Sequence, residues 1–265
     1  MQLALFDAVA AKAKTLVVVI MAGGPVDVSP FKTDERVSAL IYLGYPGMQG
    51  GRALADALFG TSPPSGRLPF SIQSEESLQK VNVMDMRMRP NASEGYPGRT
   101  HRFSTVAPVY NFGAGMQNYG RARGLSYRWA DASDGDDCTV DAVGVRRGSL
   151  KSYLLSFGSA KLAGYGAQRG PELASRSIIV RNDSPRSVPI SVLAFLSPPG
   201  AGTEGRALRE LLDFKKVWLA PGESRTLAFG VFARDVTLVD DAAERVAVTG
   251  GWTLRVEGLE STLCF

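Results

Sequence analysis

Residues 16–25 read Leu-Val-Val-Val-Ile-Met-Ala-Gly-Gly-Pro, an apolar run that ends abruptly at two glycines and a proline. A continuous run rich in β-branched residues is typical of a parallel strand buried on both faces, and Gly-Gly-Pro ends such a strand. Residues 37–43, Val-Ser-Ala-Leu-Ile-Tyr-Leu, have the same character and predict a second buried strand. The first part of the chain therefore predicts a layer built around parallel strands.

Helical patterns flank the two predicted strands. The helix after the second strand is predicted from about Met48 to Phe59, because Gly44-Tyr45-Pro46-Gly47 turns the chain before it and Gly60 follows it. The order helix, strand, loop, strand, helix indicates an α/β layer with too few strands to be a whole one. The apolar residues that predict the first helix recur near helical spacing before residue 16: Leu3, Leu5, Phe6, Val9 and Ala13.

The composition changes after residue 60. Residues 61–124 are rich in Pro, Gly, Asn, Ser and Arg without a sustained period, which predicts a long irregular connection packed against the first elements. The acidic residues 131–137 predict an exposed loop. From about residue 150, short strands separated by turn residues predict a β-sandwich. The predicted strands are Ser152–Phe157, Arg176–Arg181, Val188–Leu196, Arg225–Phe232 and Trp252–Val256.

Charge and hydropathy argue against two classes of partner. The 30 basic residues are interspersed with 26 acidic ones, so we expect no nucleic-acid partner. No apolar stretch approaches the roughly 20 residues that span a bilayer, so we expect no membrane partner. Asp7, Lys12 and Lys14 precede the first apolar run and no clear cleavage site follows it, which disfavours a signal peptide and leaves the localisation open.

The chain has one histidine, His101, and two cysteines, Cys138 and Cys264. This inventory cannot build a zinc site from His and Cys ligands, and no phosphate loop or complete dinucleotide fingerprint is present, so we expect no metal and no cofactor. Two distant cysteines define no disulfide framework, although they can pair in an oxidising compartment.

Several segments together resemble the C-terminal half of family 3 glycoside hydrolases, the β-xylosidase and β-glucosidase group. The β-xylosidase branch matches best, and the tail resembles the fibronectin-III-like domain of that family at Phe214–Ser224 and Gly251–Val256. The segments that carry the first resemblance are Gly23–Ser29, Gly44–Gly60, Ser65–Phe70, Met86–Pro90, Gly95–Phe103 and Pro108–Gly115.

The resemblance implies a partial α/β sandwich followed by a fibronectin-III-like β-sandwich, that is, α/β plus all-β. We expect the C-terminal portion of the α/β sandwich at residues 1–115, a linker or insertion at 116–149 and the β-sandwich at 150–265. Two departures stand out. His101 occupies a position that is usually aromatic, and Gly124–Tyr127 resembles the displaced end of an element that begins at Gly113.

The resemblance also implies a retaining mechanism with two carboxyl groups roughly 5 Å apart. In the family, the nucleophilic Asp lies in an N-terminal (β/α)₈ barrel within a Ser/Thr-Asp-Trp/Tyr stretch, and no such stretch occurs here. The acid/base Glu lies upstream of the helix that begins this chain. We therefore expect the chain alone to lack catalytic residues and activity, and whether it acts as an enzyme stays open.

Five side chains are candidates for a substrate cleft. Asp27 follows the end of a strand, where α/β proteins place ligand groups, although capping of the next turn is the favoured interpretation. Aromatic faces and multidentate donors suit sugars, which makes Tyr45, Tyr96, Arg99 and Arg102 candidates. The two arginines are equally expected to hold the irregular connection by binding backbone carbonyls, so both interpretations stay open.

The irregular connection also contains acidic residues and a glycosylation sequon. Glu75, Glu76 and Glu94 lie in the irregular connection and are expected to be solvated rather than catalytic. Asn91 and Asn182 head glycosylation sequons.

The leading hypothesis is a fragment of a glycoside hydrolase, and the alternatives are a non-catalytic carbohydrate-binding or scaffold protein and a partner subunit of a split hydrolase. The candidate partners are an oligosaccharide, a barrel-bearing chain and further copies of this chain.

Overall fold

A computed structural model describes residues 2–82, 84–116, 124–130, 169–239 and 245–265. The chain divides into two compact units, Met1–Met116 and Gln117–Phe265. The predicted domain limits at residues 115 and 150 stay predictions, and most of the predicted linker, with the acidic loop 131–137 and the strand Ser152–Phe157, lies outside the described residues.

The first unit contains two parallel strands and short helices, as predicted. The strands β1 and β2 pair side by side, with Val18 opposite Leu40. The predicted strands and helices are present, with ends that differ from the prediction by at most three residues. The elements are α1 (Gln2–Ala10), β1 (Leu16–Ile20), α2 (Ser29–Lys32), β2 (Val37–Tyr42), α3 (Gly50–Leu58), α4 (Glu75–Gln79) and α5 (Thr100–Phe103).

The expectation that β1 and β2 are buried on both faces is wrong. Every residue of β1 is half-buried, and Ser38 in β2 is exposed. Within the described residues the sheet has only these two strands, so each strand has one edge without a neighbour. The apolar side chains of β1 and β2, which suit a buried parallel sheet, thus remain partly in contact with solvent.

The irregular connection is ordered by backbone pairing rather than by long elements. Leu68 N donates to Ala114 O at 2.8 Å and Ile72 N donates to Tyr110 O at 2.8 Å, so two distant segments run antiparallel. At Gly115, an added Cβ would lie 2.6 Å from Gly66 O, so the close approach of these segments requires glycine there. The connection therefore packs into a defined wall of the first unit.

The second unit is a sandwich of two antiparallel sheets, which confirms the predicted fold class. One sheet has the order β11-β10-β5-β6, the other has the order β3-β4-β7, and β8 and β9 form a separate pair. The strands are β3 (Leu125–Trp129), β4 (Glu172–Asn182), β5 (Val188–Ser197), β6 (Glu210–Leu219), β7 (Ser224–Phe232), β8 (Thr237–Val239), β9 (Arg245–Ala247), β10 (Gly251–Val256) and β11 (Leu259–Cys264).

The core of the second unit lies between these sheets. In β10, Trp252, Leu254 and Val256 are buried while their neighbours are half-exposed, which is the period of two expected for a strand with one covered face. The indole nitrogen of Trp252 donates to Val248 O at 2.9 Å, so its polar atom is satisfied. The facing sheet contributes Ile178, Val180, Phe229 and Val231.

The predicted strands of this unit that fall within described residues are confirmed, and others were missed. β6 was missed because its buried and exposed positions lose their alternation at a register shift opposite Ala194 and Phe195. β3 falls in the segment expected as a linker, yet it pairs with β4 from Leu125 to Trp129. Cys264 at the end of β11 is disulfide-bonded, and Cys138 lies outside the described residues.

Candidate functional site

A loop in the first unit is held by a buried tyrosine and an arginine. Tyr96 is only 5% exposed, and its hydroxyl donates to Arg87 O. Arg99 donates from Nε to the Tyr96 hydroxyl at 3.0 Å and from one Nη to Asn82 O and Asp85 O at 2.7 and 2.6 Å. Arg99 thus ties together backbone segments that are distant in sequence.

A second arginine covers the outside of this loop. Arg87 contacts Asp85 at 2.7 Å and Glu94 at 2.6 Å, and its guanidinium lies 5.0 Å from the Tyr96 ring centroid. Hydrogen bonds from the side chain and backbone of Arg87 lower the pKa of Asp85 to about 2. The pKa of Glu94 is also lowered, first by its hydrogen bond from Arg87. Both carboxylates therefore stay ionised and neither suits a general acid.

Asp27, in the loop between β1 and α2, bonds to the first residues of α2 and α4. One carboxylate oxygen accepts from Ser29 N at 2.8 Å and Ser29 Oγ at 2.5 Å, and the other accepts from Glu75 N at 2.8 Å. Burial acts to raise the pKa of Asp27, but the hydrogen bonds from Ser29 and Glu75 outweigh it, and the pKa is lowered. The carboxylate therefore caps two turns at once.

These ties position the wall of a cavity of about 460 Å³. Thr100 in this wall has a φ of +63°, a conformation that is strained for a β-branched residue. Gly98 beside it has a φ of +79°, and an added Cβ would lie 2.9 Å from Phe103 O. The cavity is lined by Pro25, Pro69, Phe70, Ser71, Gln73, Ser77, Leu78, Val81, Met88, Pro97, Gly98, Arg99, Thr100, His101, Arg102, Ser104, Val106 and Phe112.

Only part of the predicted site lies at this cavity. Arg99 and Arg102 line it, whereas Asp27 does not and is bonded instead to Glu75 at the start of α4. Tyr96 is not among the lining residues. Tyr45 is not either: it is 81% exposed, and its ring lies so close to Gly23 that an added Cβ there would be 2.6 Å from Tyr45 Cε2.

Sequence reasoning missed several residues of the cavity. His101 was considered as a metal ligand and as a departure from the usual aromatic residue but not as part of a cleft, and it stacks on Phe112 with ring centroids 4.1 Å apart. Phe70 packs edge-on against Tyr42 at 5.2 Å. Gln73 and Phe112 gave no signal, because their proximity to residues 97–102 arises from the pairing of segments around Ile72 and Tyr110.

The remaining acidic candidates are placed on the surface. Glu75 and Glu76 are exposed in the first turn of α4. Within the described ranges no group of three or more His, Cys, Asp or Glu side chains is arranged to hold a metal ion. Among the helices of those ranges, none has the length and apolar character needed to cross a membrane. The expected absence of metal and cofactor stays a prediction.

Two family models match the chain. The model of the glycosyl hydrolase family 3 C-terminal domain matches residues 1–118, and the model of a fibronectin type III-like domain matches residues 191–259. The cavity and its ties to Asp27 lie within the first match. The two matches follow each other in the order that the sequence resemblance implied.

Similar proteins agree with these matches. Beta-D-xylosidase 3 of Arabidopsis thaliana is 31% identical over 249 residues, which cover 94% of this chain and 31% of that protein. Exo-1,4-beta-xylosidase xlnD of Emericella nidulans is 31% identical over 263 residues, which cover 99% of this chain and 30% of that protein. The chain thus spans about one third of the length of the curated relatives it matches.

A solved structure supports the same assignment. The GH3 exo-beta-xylosidase (XlnD), in complex with a xylobiose aziridine activity-based probe, superposes with a TM-score of 0.76 at 27% identity. The match covers 100% of this chain and 33% of that chain. With the two domain models and the β-xylosidase relatives, this similarity shows that the chain belongs to glycosyl hydrolase family 3, of which it carries the C-terminal domain and the fibronectin type III-like domain.

Proposed function

We propose that the chain serves as the C-terminal part of a retaining glycoside hydrolase of β-xylosidase type, which acts on xylose-containing oligosaccharides together with a polypeptide that carries a (β/α)₈ barrel. The observation that carries this proposal is the match of nearly the whole chain to one third of β-xylosidases.

The open sheet of the first unit supports a partner. β1 and β2 are half-buried although their residues suit a sheet covered on both faces. An unpaired strand edge is a template for another strand, which explains how further strands would complete the sheet. A barrel-bearing polypeptide that brings such strands would bury the apolar residues of β1.

The charges of the described carboxylates support the inactivity of this chain alone. A retaining hydrolase needs one carboxyl group with a raised pKa as the acid and a second as the nucleophile. In the described part of the first unit, the carboxyl groups with a shifted pKa, Asp27, Asp34, Asp85 and Glu94, are all shifted downward by hydrogen bonds that outweigh burial. None of these four suits the acid.

The five predicted cleft residues divide into two roles in this proposal. Asp27, Tyr96 and Arg99 use their polar atoms to hold the loop and α4 in place. Tyr45 and Arg102 are exposed, so they are the members that we propose for contact with a sugar. An aromatic ring and a guanidinium suit the apolar face and the hydroxyl groups of a sugar, respectively.

A chimera tests the proposal. Residues 1–265 would replace the matching third of Beta-D-xylosidase 3 of Arabidopsis thaliana, and hydrolysis of an aryl β-D-xyloside would be measured. We expect turnover by the chimera, none by the 265-residue chain, and loss of turnover when Val18→Lys places a charge in β1. Turnover by the purified chain that survives replacement of Glu75, Glu76 and Glu94 would contradict the proposal.

A second candidate function is non-catalytic carbohydrate binding. Phe214 and Trp218 are 62% and 55% exposed on the same face of β6, the edge strand of its sheet, with exposed Lys216 between them. We expect Phe214→Ser and Trp218→Ser to weaken retention of the chain on insoluble xylan. Leu211→Ser, a similar change on the same strand, is the control, and equal retention of all variants would dismiss this function.

A further inference from the structure

The sequon Asn91-Ala92-Ser93 lies at the tip of a turn in the first unit. Asn91 N donates to Tyr96 O at 2.8 Å, and Tyr96 N donates to Asn91 O at 2.9 Å, so these two residues close the turn. Asn91 is half-buried, while the four residues between it and Tyr96 are exposed. Exposed loop tips tolerate added groups, so a group attached to this side chain has room to extend into solvent.

The two ends of the Asn91 side-chain amide have separate roles. Its Oδ1 accepts from Ser93 N at 3.2 Å and from Ser93 Oγ at 2.8 Å. Its Nδ2 donates to Glu94 Oε1 at 2.7 Å, in a bond that is exposed to solvent. That bond uses one of the two hydrogens on Nδ2. A substituent that replaces the other hydrogen therefore leaves the bonds to Oδ1, and with them the turn, in place.

The second sequon has the opposite environment. Asn182 is fully buried, and its Nδ2 donates to three backbone carbonyl oxygens at 2.8 to 3.1 Å. A sugar on this nitrogen would displace these bonds and would need space inside the second unit. The folded chain can thus carry a sugar on Asn91 and not on Asn182.

A disulfide in the second unit indicates the compartment. Cys264 at the end of β11 is disulfide-bonded. Disulfides form and persist in the secretory lumen and outside the cell, and they are rare in the cytosol. Oligosaccharides are attached to Asn-X-Ser/Thr sequons on the same route. The disulfide is independent of the sequon, because the two lie in different units.

We infer that Asn91 is a site of N-linked glycosylation, in a chain that passes through an oxidising secretory compartment. Nδ2 forms a bond to the anomeric carbon of a lipid-linked oligosaccharyl diphosphate. The bond from that carbon to the diphosphate breaks, Nδ2 loses one proton, and the lipid diphosphate leaves without any oxidation or reduction. The inference goes beyond the proposed function, because the oligosaccharide is attached to the protein and is not a substrate. Failure of the xyloside chimera would leave it intact, and its own failure would leave the proposed hydrolase intact.

Mass spectrometry of the protein from the cells that produce it tests the inference. A peptide N-glycosidase in heavy-oxygen water converts a glycosylated Asn to a labelled Asp and leaves an unmodified Asn unchanged. We expect a labelled Asp at position 91 and an unchanged Asn at position 182. An unchanged Asn at position 91 overturns the inference.

Substitutions in the 265-residue chain, secreted from eukaryotic cells behind an added signal peptide, locate the site. Deglycosylation should lower the apparent mass of the natural chain by one glycan. Asn91→Gln and Ser93→Ala should abolish this shift. Ser93→Thr, which keeps the hydroxyl of the sequon, and Asn82→Gln, the same amide change outside a sequon, should retain it. A shift that persists in Asn91→Gln overturns the inference, and if that variant is not secreted, the comparison of Ser93→Ala with Ser93→Thr decides.

Discussion

Asn182, at the end of β4, is fully buried, and its side-chain amide is bonded on both sides. Its Nδ2 donates to Arg186 O at 2.8 Å and to Leu219 O and Ala220 O at 3.1 Å. Its Oδ1 accepts from Ser184 N and Oγ. The side chain thereby joins the turn between β4 and β5 to the turn between β6 and β7, and the sequon that it heads is inaccessible in the folded protein.

We expect Asn182→Ala to lower the free energy of unfolding by about 2–4 kcal/mol, because it leaves buried carbonyls without a donor. Urea denaturation of the chain measures this change. Asn91→Ala is the comparison, since Asn91 caps an exposed turn by accepting from Ser93 N, and its loss should cost about 1 kcal/mol or less. Equal costs for the two substitutions would contradict the role assigned to Asn182.

Asp27 makes a prediction about pH. Its folded-state pKa lies below the ordinary value of 3.8, so the stability that it contributes is present above that value and is lost as the pH falls through the folded-state pKa. We expect Asp27→Asn to cost about 0.5–1 kcal/mol at pH 6, the range of a side-chain cap, and less at pH 3. The measurement is urea denaturation at both pH values. Asp56→Asn, at a surface pair 3.9 Å from Arg52, should show a small cost at both.

At the scale of elements, the turn between β6 and β7 shows how a short motif sets a connection. Residues 220–223 read Ala-Pro-Gly-Glu, and Gly222 has a φ of +75°. Glu223 accepts from Ala220 N at 2.8 Å, and its pKa is lowered first by this bond and then by Arg225. Pro221 fixes its own φ, Gly222 adopts the positive φ, and the Glu223 carboxylate accepts a backbone hydrogen bond within the turn.

We expect Gly222→Ala to lower the free energy of unfolding by about 1 kcal/mol, because an L-residue is strained at positive φ. An added Cβ there meets no atom within 4 Å, so the cost is purely conformational. Gly24→Ala is matched to it, since that Cβ is equally unobstructed and no positive φ is involved. Thermal unfolding of both variants checks the difference, and equal melting temperatures would contradict the explanation.

At the scale of the whole molecule, the second unit has a closed apolar core while the first unit exposes large apolar side chains. Met48 is 95% exposed, Phe59 is 84% exposed and Tyr45 is 81% exposed. Tyr45 and Met48 precede α3 in the chain, and Phe59 follows it. Large exposed apolar surface favours association with another protein surface.

We expect the isolated chain to self-associate as its concentration rises, because this surface and the open edge of β1 are uncovered. Sedimentation velocity over a concentration series measures the association. Phe59→Ser with Met48→Ser should reduce it, whereas Leu211→Ser in β6 should change it little. A chain that sediments as a monomer at every concentration would contradict this expectation.

From local sequence patterns we could predict the class of each unit, the parallel strands at residues 16 and 37, four of the eight strands described after residue 170 and the family resemblance. These features depend on short-range periodicity and turn chemistry, which neighbouring residues specify. The folded chain was needed to see that β1 is half-buried, that β3 pairs with β4 in the sandwich of the second unit, and that Gln73, His101 and Phe112 line one cavity. The physical reason is that these features arise from contacts between residues far apart in the chain, which no local pattern encodes.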